Sequence, residues 1–373
     1  MKTISLCMIV KNEAATLPHC LSSIKDVVDE IIIVDTGSTD NTVKIARQFT
    51  DKIVHFEWTH DFAAARNFAF SLGVMDYLMW LDADDVLTPE DRRKLRTLKQ
   101  KLTNEDVITT KYNCTHDEYG NVTLQSIRER LVSRSYFDTV KWEGGIHEII
   151  PVQKDFKGRV FHSDVVITHT SNHNPSDTNS PEFKRNFEIL ERTVNREEHS
   201  LVNSYYYACS LKALHRYDDA LKWLHKYFNM PEIKDYGDVN AYLVAHDIYL
   251  EKGDLNAAYK ILADNERQNA HMAEYYTALG RFFQKHVNDA QKAEGAYKKA
   301  LRCTGISHDG IMAIGRSMDY YYFLPYVGLG ELATATGDYK KALMYYEKAL
   351  SYKPNDPIAG RIFEKLKQIV EME

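Results

Sequence analysis

"YLMWLDADDVLTPED", residues 77–91, sets Asp82, Asp84 and Asp85 directly behind an apolar run that reads as a buried strand. Carboxylates this close repel one another and are costly to take out of water, so they are not a packing device. Something positive has to sit beside them. Hard oxygen ligands on a rigid strand end suit Mg²⁺ or Mn²⁺, which takes one or two carboxylates and completes its shell with phosphate oxygens and water. A plainer reading is an acidic cap on the following helix, since Thr88-Pro89-Glu90-Asp91 has the form of a helix start. That accounts for Glu90 and Asp91 but not for Asp82 and Asp84, which precede the cap.

Outward from this stretch, residues 1 to about 105 alternate β-rich runs with helical patterns. ISLCMIV, EIIIVD, KIVHF and YLMWLD are each followed by an amphipathic segment, the last being PEDRRKLRTLKQKL. Strand then helix, four times over, predicts a parallel sheet with helices on its faces. In such sheets ligands bind beyond the carboxyl ends of the strands, where the acidic cluster falls. From about 106 to 170 strands follow one another without helices (VITTKYNC, RERLVSR, DVVITH), with a turn signal at DEYGN, 117–121, which predicts a mixed or antiparallel edge.

The stretch 170–183 is rich in Asn, Ser, Thr and Pro and reads as a linker, with Ser180-Pro181 as an N-cap opening a second, helical domain. The expected domains are 1–175 and 176–373. Four segments of the second share a signature: HRYDDALKWL, GDLNAAYKIL, NDAQKAEGAYKKAL and GDYKKALMYYEKAL. Their small residues Ala220, Ala258, Ala293 and Ala342 recur at 38, 35 and 49 positions. The first copy is degenerate, and the long gap asks for an insertion at CTGISHDGIMAIG, 303–315. Aromatics such as Tyr205, Tyr206 and Tyr207 are expected to be helix-packing core, because stacked repeats bury one face of each helix.

The 373 residues are 44% apolar, enough for a substantial core, and the net charge of −6 offers no basic excess for nucleic acid. The amino terminus reads as a strand, and the longest apolar stretch, 68–81, is too short to span a bilayer and contains Asp76. The expectation is a cytoplasmic protein with no membrane span. Cys7, Cys20, Cys114, Cys209 and Cys303 lack CxxC spacing and read as small buried hydrophobes.

SLCMIVKNE near the amino terminus, IIIVDTGSTDNT at 31–42, DFAAARNFAF at 61–70 and WLDADD at 80–85 resemble the ordered motifs of family 2 glycosyltransferases, and the helical copies resemble tetratricopeptide repeats. The resemblance implies an α/β nucleotide-sugar-binding, Rossmann-like glycosyltransferase domain followed by an all-α tetratricopeptide-like helical repeat domain. It also implies inverting transfer from a nucleotide diphosphate sugar. Carried onto this chain, Val10, Asn12, Glu13 and Asp35 contact the donor nucleoside, Arg66 and Asn67 hold its base and diphosphate, and Asp82-Ala83-Asp84 is the Asp-x-Asp element. Thr36 stands where many relatives have a second acid. Asp35 can accept from a uracil N3–H, which favours UDP-sugars such as UDP-glucose. Arg66 offers a fork to phosphate, or a salt bridge to a neighbouring acid such as Asp61.

Inverting transfer needs a base to take the acceptor's proton. The Glu-Asp dipeptide of relatives has no obvious counterpart after residue 106. VKWEGGIHEIIPV, 140–152, supplies His147, Glu148 and Glu143 as candidates, with Trp142 as a sugar platform beside a Gly144-Gly145 turn. His169 matches a histidine that relatives give to the metal, so the ligand set is Asp82, Asp84 and His169; His162 and His173 are rivals. A catalytic domain joined to such helices is similar to the sublancin-type peptide S-glycosyltransferases, which modify cysteine or serine of a bacteriocin precursor. The implied partners are a nucleotide sugar, a peptide or protein acceptor, and a second copy through the helical domain. A transferase for cell-envelope polysaccharide and a non-catalytic adaptor are the competing readings.

Overall fold

The computed structural model of the protein describes residues 1–151, 158–171, 176–195, 201–231, 233, 238–303 and 315–372. The chain divides into two compact units: residues 1–115, 125–203 and 311–315 form the first, and 116–124, 204–310 and 316–373 the second.

The first unit is an α/β sheet. Its elements run β1 (Ile4–Val10), α1 (Leu17–Ile24), β2 (Glu30–Asp35), α2 (Thr42–Ala46), β3 (Ile53–His55), α3 (Phe62–Ser71), β4 (Tyr77–Met79), β5 (Asp85–Val86), α4 (Pro89–Lys101), β6 (Val107–His116), β7 (Val122–Ser133), α5 (Arg134–Phe137), β8 (Val160–His169) and α6 (Pro181–Val194). Strand order is β3-β2-β1-β4-β7-β6-β8-β5. The first four strands pair in parallel, as the strand–helix alternation predicts. β7 runs antiparallel to β4, β8 parallel to β6, and β5 antiparallel to β8. Both faces of β1 are covered: Ile4, Leu6, Met8 and Val10 pack with α1 and α4, and Cys7 and Ile9 with Ala63, Ala69 and Phe70 of α3. A strand covered on both faces has to be apolar throughout, which is why ISLCMIV shows no polar alternation.

Two boundaries differ from the reading of the sequence. The strand expected over 77–82 ends at Met79, because the backbone turns so that the Asp85 N–H donates to the Asp82 carbonyl at 3.0 Å. The chain then re-enters the sheet two residues at a time as β5, at the far edge. α6 opens at Ser180 as its N-cap, accepting from the Phe183 N–H at 3.0 Å, and belongs to the first compact unit. All five cysteines are free; Cys7 and Cys20 are buried and the others half-buried.

The second unit is helical and its repeats are built alike. Ala220, Ala258, Ala293 and Ala342 are all fully buried. Three of the four repeat helices open on an aspartate N-cap, with Asp254, Asp289 and Asp338 accepting from the N–H three residues on. Before each cap stands a left-handed residue: Gly253 (φ 75°), Asn288 (φ 57°) and Gly337 (φ 77°). Glycine adopts that conformation without steric cost. The degenerate first copy keeps the turn with His215 (φ 56°) but has Arg216, which makes no side-chain cap bond. The aromatic core expectation holds for Tyr207, which is buried edge-on to Trp223 at 5.4 Å, while Tyr205 and Tyr206 are half-buried. The insertion expected at 303–315 lies, but for its ends, outside the described residues. Among the described residues no helix is long and apolar enough to cross a membrane.

Tyr297, 1% exposed, lies against two helical glycines, and a Cβ at Gly280 would come within 2.6 Å of its ring. Gly328 approaches the same ring equally closely. Gly328→Ala therefore overpacks the contact, and we expect a loss of about 1–3 kcal/mol in urea unfolding despite alanine's better helix propensity. Gly295→Ala, where an added Cβ meets nothing, should instead gain up to about 1 kcal/mol. Equal effects of the two would remove the steric account.

Candidate functional site

The acidic cluster lies where β4 leaves the sheet and β5 returns beside the end of β8. Register puts Asp85 opposite His169. The His169 Nδ1 lies 3.3 Å from Asp84 Oδ1 and 3.3 Å from Asp85 Oδ1. Asp84, Asp85 and His169 can each direct one ligand atom to a common region, these atoms all lying within 4.8 Å of one another, the one such group among the described residues. Two carboxylates and an imidazole are a donor set that fits Mg²⁺ or Mn²⁺. Burial raises the Asp84 carboxyl above its usual range, with the His169 charge opposing. His169 loses proton affinity to burial but gains more from the Asp85 hydrogen bond and the Asp84 charge, so it is raised.

Asp82 turns away from that group. Its Oδ1 accepts from Arg66 Nη2 at 2.8 Å, and Arg66 Nε donates to Glu148. Burial works against ionising Asp82, yet the Arg66 and Arg130 charges hold its carboxyl at about 2. The Arg66 guanidinium is lodged among rings, 4.3 Å from the Trp80 centroid and 5.4 Å from that of Trp142. Its Nη1 is buried with no hydrogen-bond partner. The salt bridge to Asp61 does not form: Asp61 caps α3, accepting from the Ala64 N–H at 2.9 Å, which fixes its carboxylate at the helix start.

Val10 and Asp35 end adjacent parallel strands and stand opposite each other. The Asp35 carboxylate accepts from the Ser38 N–H at 3.1 Å and the Gly37 N–H at 3.3 Å, and His55 Nδ1 lies 3.7 Å away. Asn12 adopts a left-handed backbone (φ 58°) and accepts from the Thr39 N–H at 2.7 Å. The Glu13 carboxylate accepts from Thr16 Oγ1 at 2.6 Å. These residues share one edge of the sheet, with Ala83 buried beneath the acidic turn. Asn67 spends its amide on the backbone of Trp142, donating to its carbonyl at 3.0 Å and accepting its N–H at 2.9 Å. It ties α3 to the loop that carries the base candidates.

That loop closes through two backbone bonds between Glu143 and Ile149, at 2.9 and 3.0 Å. Glu148 is buried against Arg66 and Glu143 is exposed. Burial, with the charge of Arg128, pushes His147 down to about 3, so its ring is a poor proton acceptor at neutral pH. Trp142 is not the open platform expected: it is 3% exposed and packs edge-on to Trp80 at 5.3 Å, because the Asn67 clamp draws it into the core. His162 is exposed and bonded to Thr109 Oγ1 at 2.8 Å, seven residues back along β8 from His169. His173 lies outside the described residues.

Reading the sequence missed Arg130 and Tyr112. Arg130 is fully buried in β7, 2.9 Å from the fully buried Asp85, and its guanidinium lies 3.7 Å from the Trp80 ring centroid. Tyr112 Oη donates to Asp85 at 2.9 Å. An arginine directly before the apolar pair Leu131-Val132 in RERLVSR was the available signal; its partner, 45 positions earlier, was not visible.

Residues 5–162 match the model of the family described as "Glycosyl transferase family 2". Over 97 residues the chain is 48% identical to a TPR repeat-containing protein of Synechococcus elongatus, which covers 26% of this chain and 24% of that one. Over 241 residues it is 27% identical to the SPbeta prophage-derived glycosyltransferase SunS of Bacillus subtilis, covering 61% of this chain and 53% of that one. Glucosyl-3-phosphoglycerate synthase from Mycobacterium tuberculosis, solved with Mn²⁺, UDP and phosphoglyceric acid, is 16% identical with a TM-score of 0.38, covering 51% of this chain and 78% of that one. The chain spans from about a quarter to about half the length of these two curated relatives.

Removing the Arg66 cation leaves Asp82 and Glu148 facing each other in a largely dry site. We expect Arg66→Met to cost about 3 kcal/mol at neutral pH, read by urea unfolding. In the wild type, the folded-state depression of Asp82 from 3.8 to about 2 contributes stability that is present above pH 3.8 and lost as pH falls through about 2. The deficit of the variant should therefore shrink in acid. A deficit independent of pH would locate the effect in lost packing.

Proposed function

With residues 5–162 matching the model of glycosyl transferase family 2, we propose that this chain is an inverting transferase of that family, moving a hexose from a UDP-sugar, UDP-glucose in the first instance, to a peptide or protein acceptor. The observation that carries the reading is the gathering of Asp82, Asp84, His169 and Arg66 on the edge of the sheet where β1 and β2 also end, at Val10 and Asp35. In this reading Asp35 accepts from the uracil N3–H, with Val10, Asn12 and Glu13 framing the nucleoside. The buried, unpartnered Nη1 of Arg66 is a donor for an oxygen of the diphosphate. Asp82, Ala83, Asp84 and His169 border the place of the sugar phosphate, with Asp84 and His169 holding Mg²⁺ or Mn²⁺. Bound there, the ion neutralises charge on the departing diphosphate.

The acceptor's sulfur or oxygen forms a bond to the anomeric carbon as the bond to the diphosphate oxygen breaks, and the acceptor's proton goes to Glu148. A thiol, already a few per cent ionised near neutrality, needs less help from a base than a hydroxyl does. The similarity to the glycosyltransferase SunS over 241 residues supports a glycosyltransferase; the peptide acceptor, with cysteine preferred to serine, is what the resemblance to the sublancin-type enzymes implies. We assign donor chemistry to the α/β unit and acceptor binding to the helical repeats that follow residue 203, whose stacked helices are the architecture of peptide-binding surfaces. A nucleotide-sugar donor and five free cysteines fit a cytoplasmic setting.

Incubating the chain with Mn²⁺ and a panel of nucleotide sugars, and measuring UDP release with and without cysteine peptides, tests the reading; no release with any donor would leave an adaptor. Asp84→Asn should abolish turnover while barely moving the unfolding midpoint. Glu148→Gln should depress transfer to a serine acceptor by about 10²- to 10⁴-fold, and to cysteine much less. His147→Gln should change either rate only a few-fold; the reverse ranking would make His147 the base, and parity of both variants with wild type would point to Glu143.

A further inference from the structure

Asp85 is the best-buried member of the acidic group and the one whose carboxylate oxygens are most engaged by protein partners, although one of them lies close enough to Asp84 and His169 to count with them as a ligand atom. Its Oδ2 accepts from Arg130 Nη1 at 2.9 Å and from the Asp82 N–H at 3.0 Å. Its Oδ1 accepts from Tyr112 Oη at 2.9 Å and faces His169 Nδ1 at 3.3 Å. A carboxylate has about four lone-pair sites; three donors occupy theirs here and the fourth faces His169 Nδ1. Asp84 is differently placed: its backbone carbonyl is held by Thr170, through the N–H at 2.9 Å and Oγ1 at 2.7 Å, which fixes the turn and leaves the half-buried carboxylate at the site.

The same contacts decide the tautomer of His169. Tyr112 has one hydroxyl proton. Given to Asp85, it leaves an oxygen lone pair facing His169 Nδ1 at 3.1 Å. The other neighbours of Nδ1 are the Asp84 and Asp85 carboxylates, each at 3.3 Å. Three acceptors surround that nitrogen, so it must carry the proton, and in the neutral ring Nε2 keeps its lone pair. The alternative, Tyr112 donating to a bare Nδ1, would set that lone pair against two carboxylates.

We propose that Asp85, locked by Arg130 and Tyr112, is a positioning residue rather than a ligand: it takes the Nδ1–H of His169 and so makes Nε2 the nitrogen that joins Asp84 in holding the divalent ion. The inference rests on the reading of Asp84 and His169 as metal-holding. It assigns functions to Arg130 and Tyr112, which lie outside the motifs. A hydrogen-bonded carboxylate behind a histidine ligand fixes its ring and raises its basicity, and loss of such support typically costs about 10- to 100-fold in metal affinity.

Asp85→Asn would strand the Arg130 charge in the core, so the variant to use is Tyr112→Phe, which removes one hydroxyl. Two measurements on the full chain decide the matter. In ¹⁵N-histidine spectra of the metal-free wild type at alkaline pH, the resonance lost in His169→Gln should report the Nδ1–H tautomer; an Nε2–H tautomer overturns the proposal. In titrations followed by the electron paramagnetic resonance of free Mn²⁺, Tyr112→Phe should bind about 10-fold more weakly than wild type while still unfolding in one cooperative transition, its midpoint lowered only by the loss of one buried hydrogen bond, and equal affinity overturns it. A wild type that binds no Mn²⁺ overturns the metal reading instead, and the tautomer then decides the positioning alone.

Discussion

Three carboxylates at the end of a buried strand require compensating charge, and the interior of the amino-terminal unit is arranged around its supply. Asp85 takes Arg130 from β7, Asp82 takes Arg66 from α3, and Asp84 takes His169 from β8. Each partner comes from a different element, so the acids tie together three regions of the fold. Removing charges from water is repaid only where geometry is good and remaining donors and acceptors are satisfied. Asp85, with three donors and His169 Nδ1 facing the fourth site, meets that condition; Arg66, with a buried unpartnered Nη1, does so incompletely. An incompletely satisfied arginine among ordered rings is a place where an anion completes the structure.

Trp80 is the apolar counterpart of this arrangement. It lies under Arg66, Arg128 and Arg130, whose guanidinium carbons are 4.3, 5.3 and 3.7 Å from its ring centroid, and its Nε1–H donates to the Glu129 carbonyl at 2.6 Å. Guanidinium groups are weakly hydrated and stack on aromatic faces, which is why arginine and not lysine fills all three positions. The Asn67 bridge to Trp142 extends the same packing into the loop that carries Glu148. Arg66 and Asn67 of α3 thus both bond to the loop over residues 140–152, at Glu148 and Trp142.

How much of this was legible depends on distance along the chain. The four strand–helix units, the Ser180 cap and the recurring small residues of the repeats are local patterns, and the structure follows them closely. The end of β4 was misplaced because the turn at 80–84 is made by Asp82 and Asp85 bonding each other, while the apolar composition runs on. Trp142 looked like a platform because composition says nothing about which side of a loop faces the core.

The sequence by itself determined the kind of chemistry: a dense set of hard oxygen ligands at a strand end, an arginine beside it, and a repeat of small residues that needs stacked helices. Only the tertiary structure decided which acid meets which partner. Asp82, Asp84 and Asp85 are near-equivalent as letters, and what separates them is contact with Arg66, His169 and Arg130, which lie 16, 85 and 45 positions away. Carboxylate roles are set by the donors that surround them, and those donors meet only when the sheet has closed.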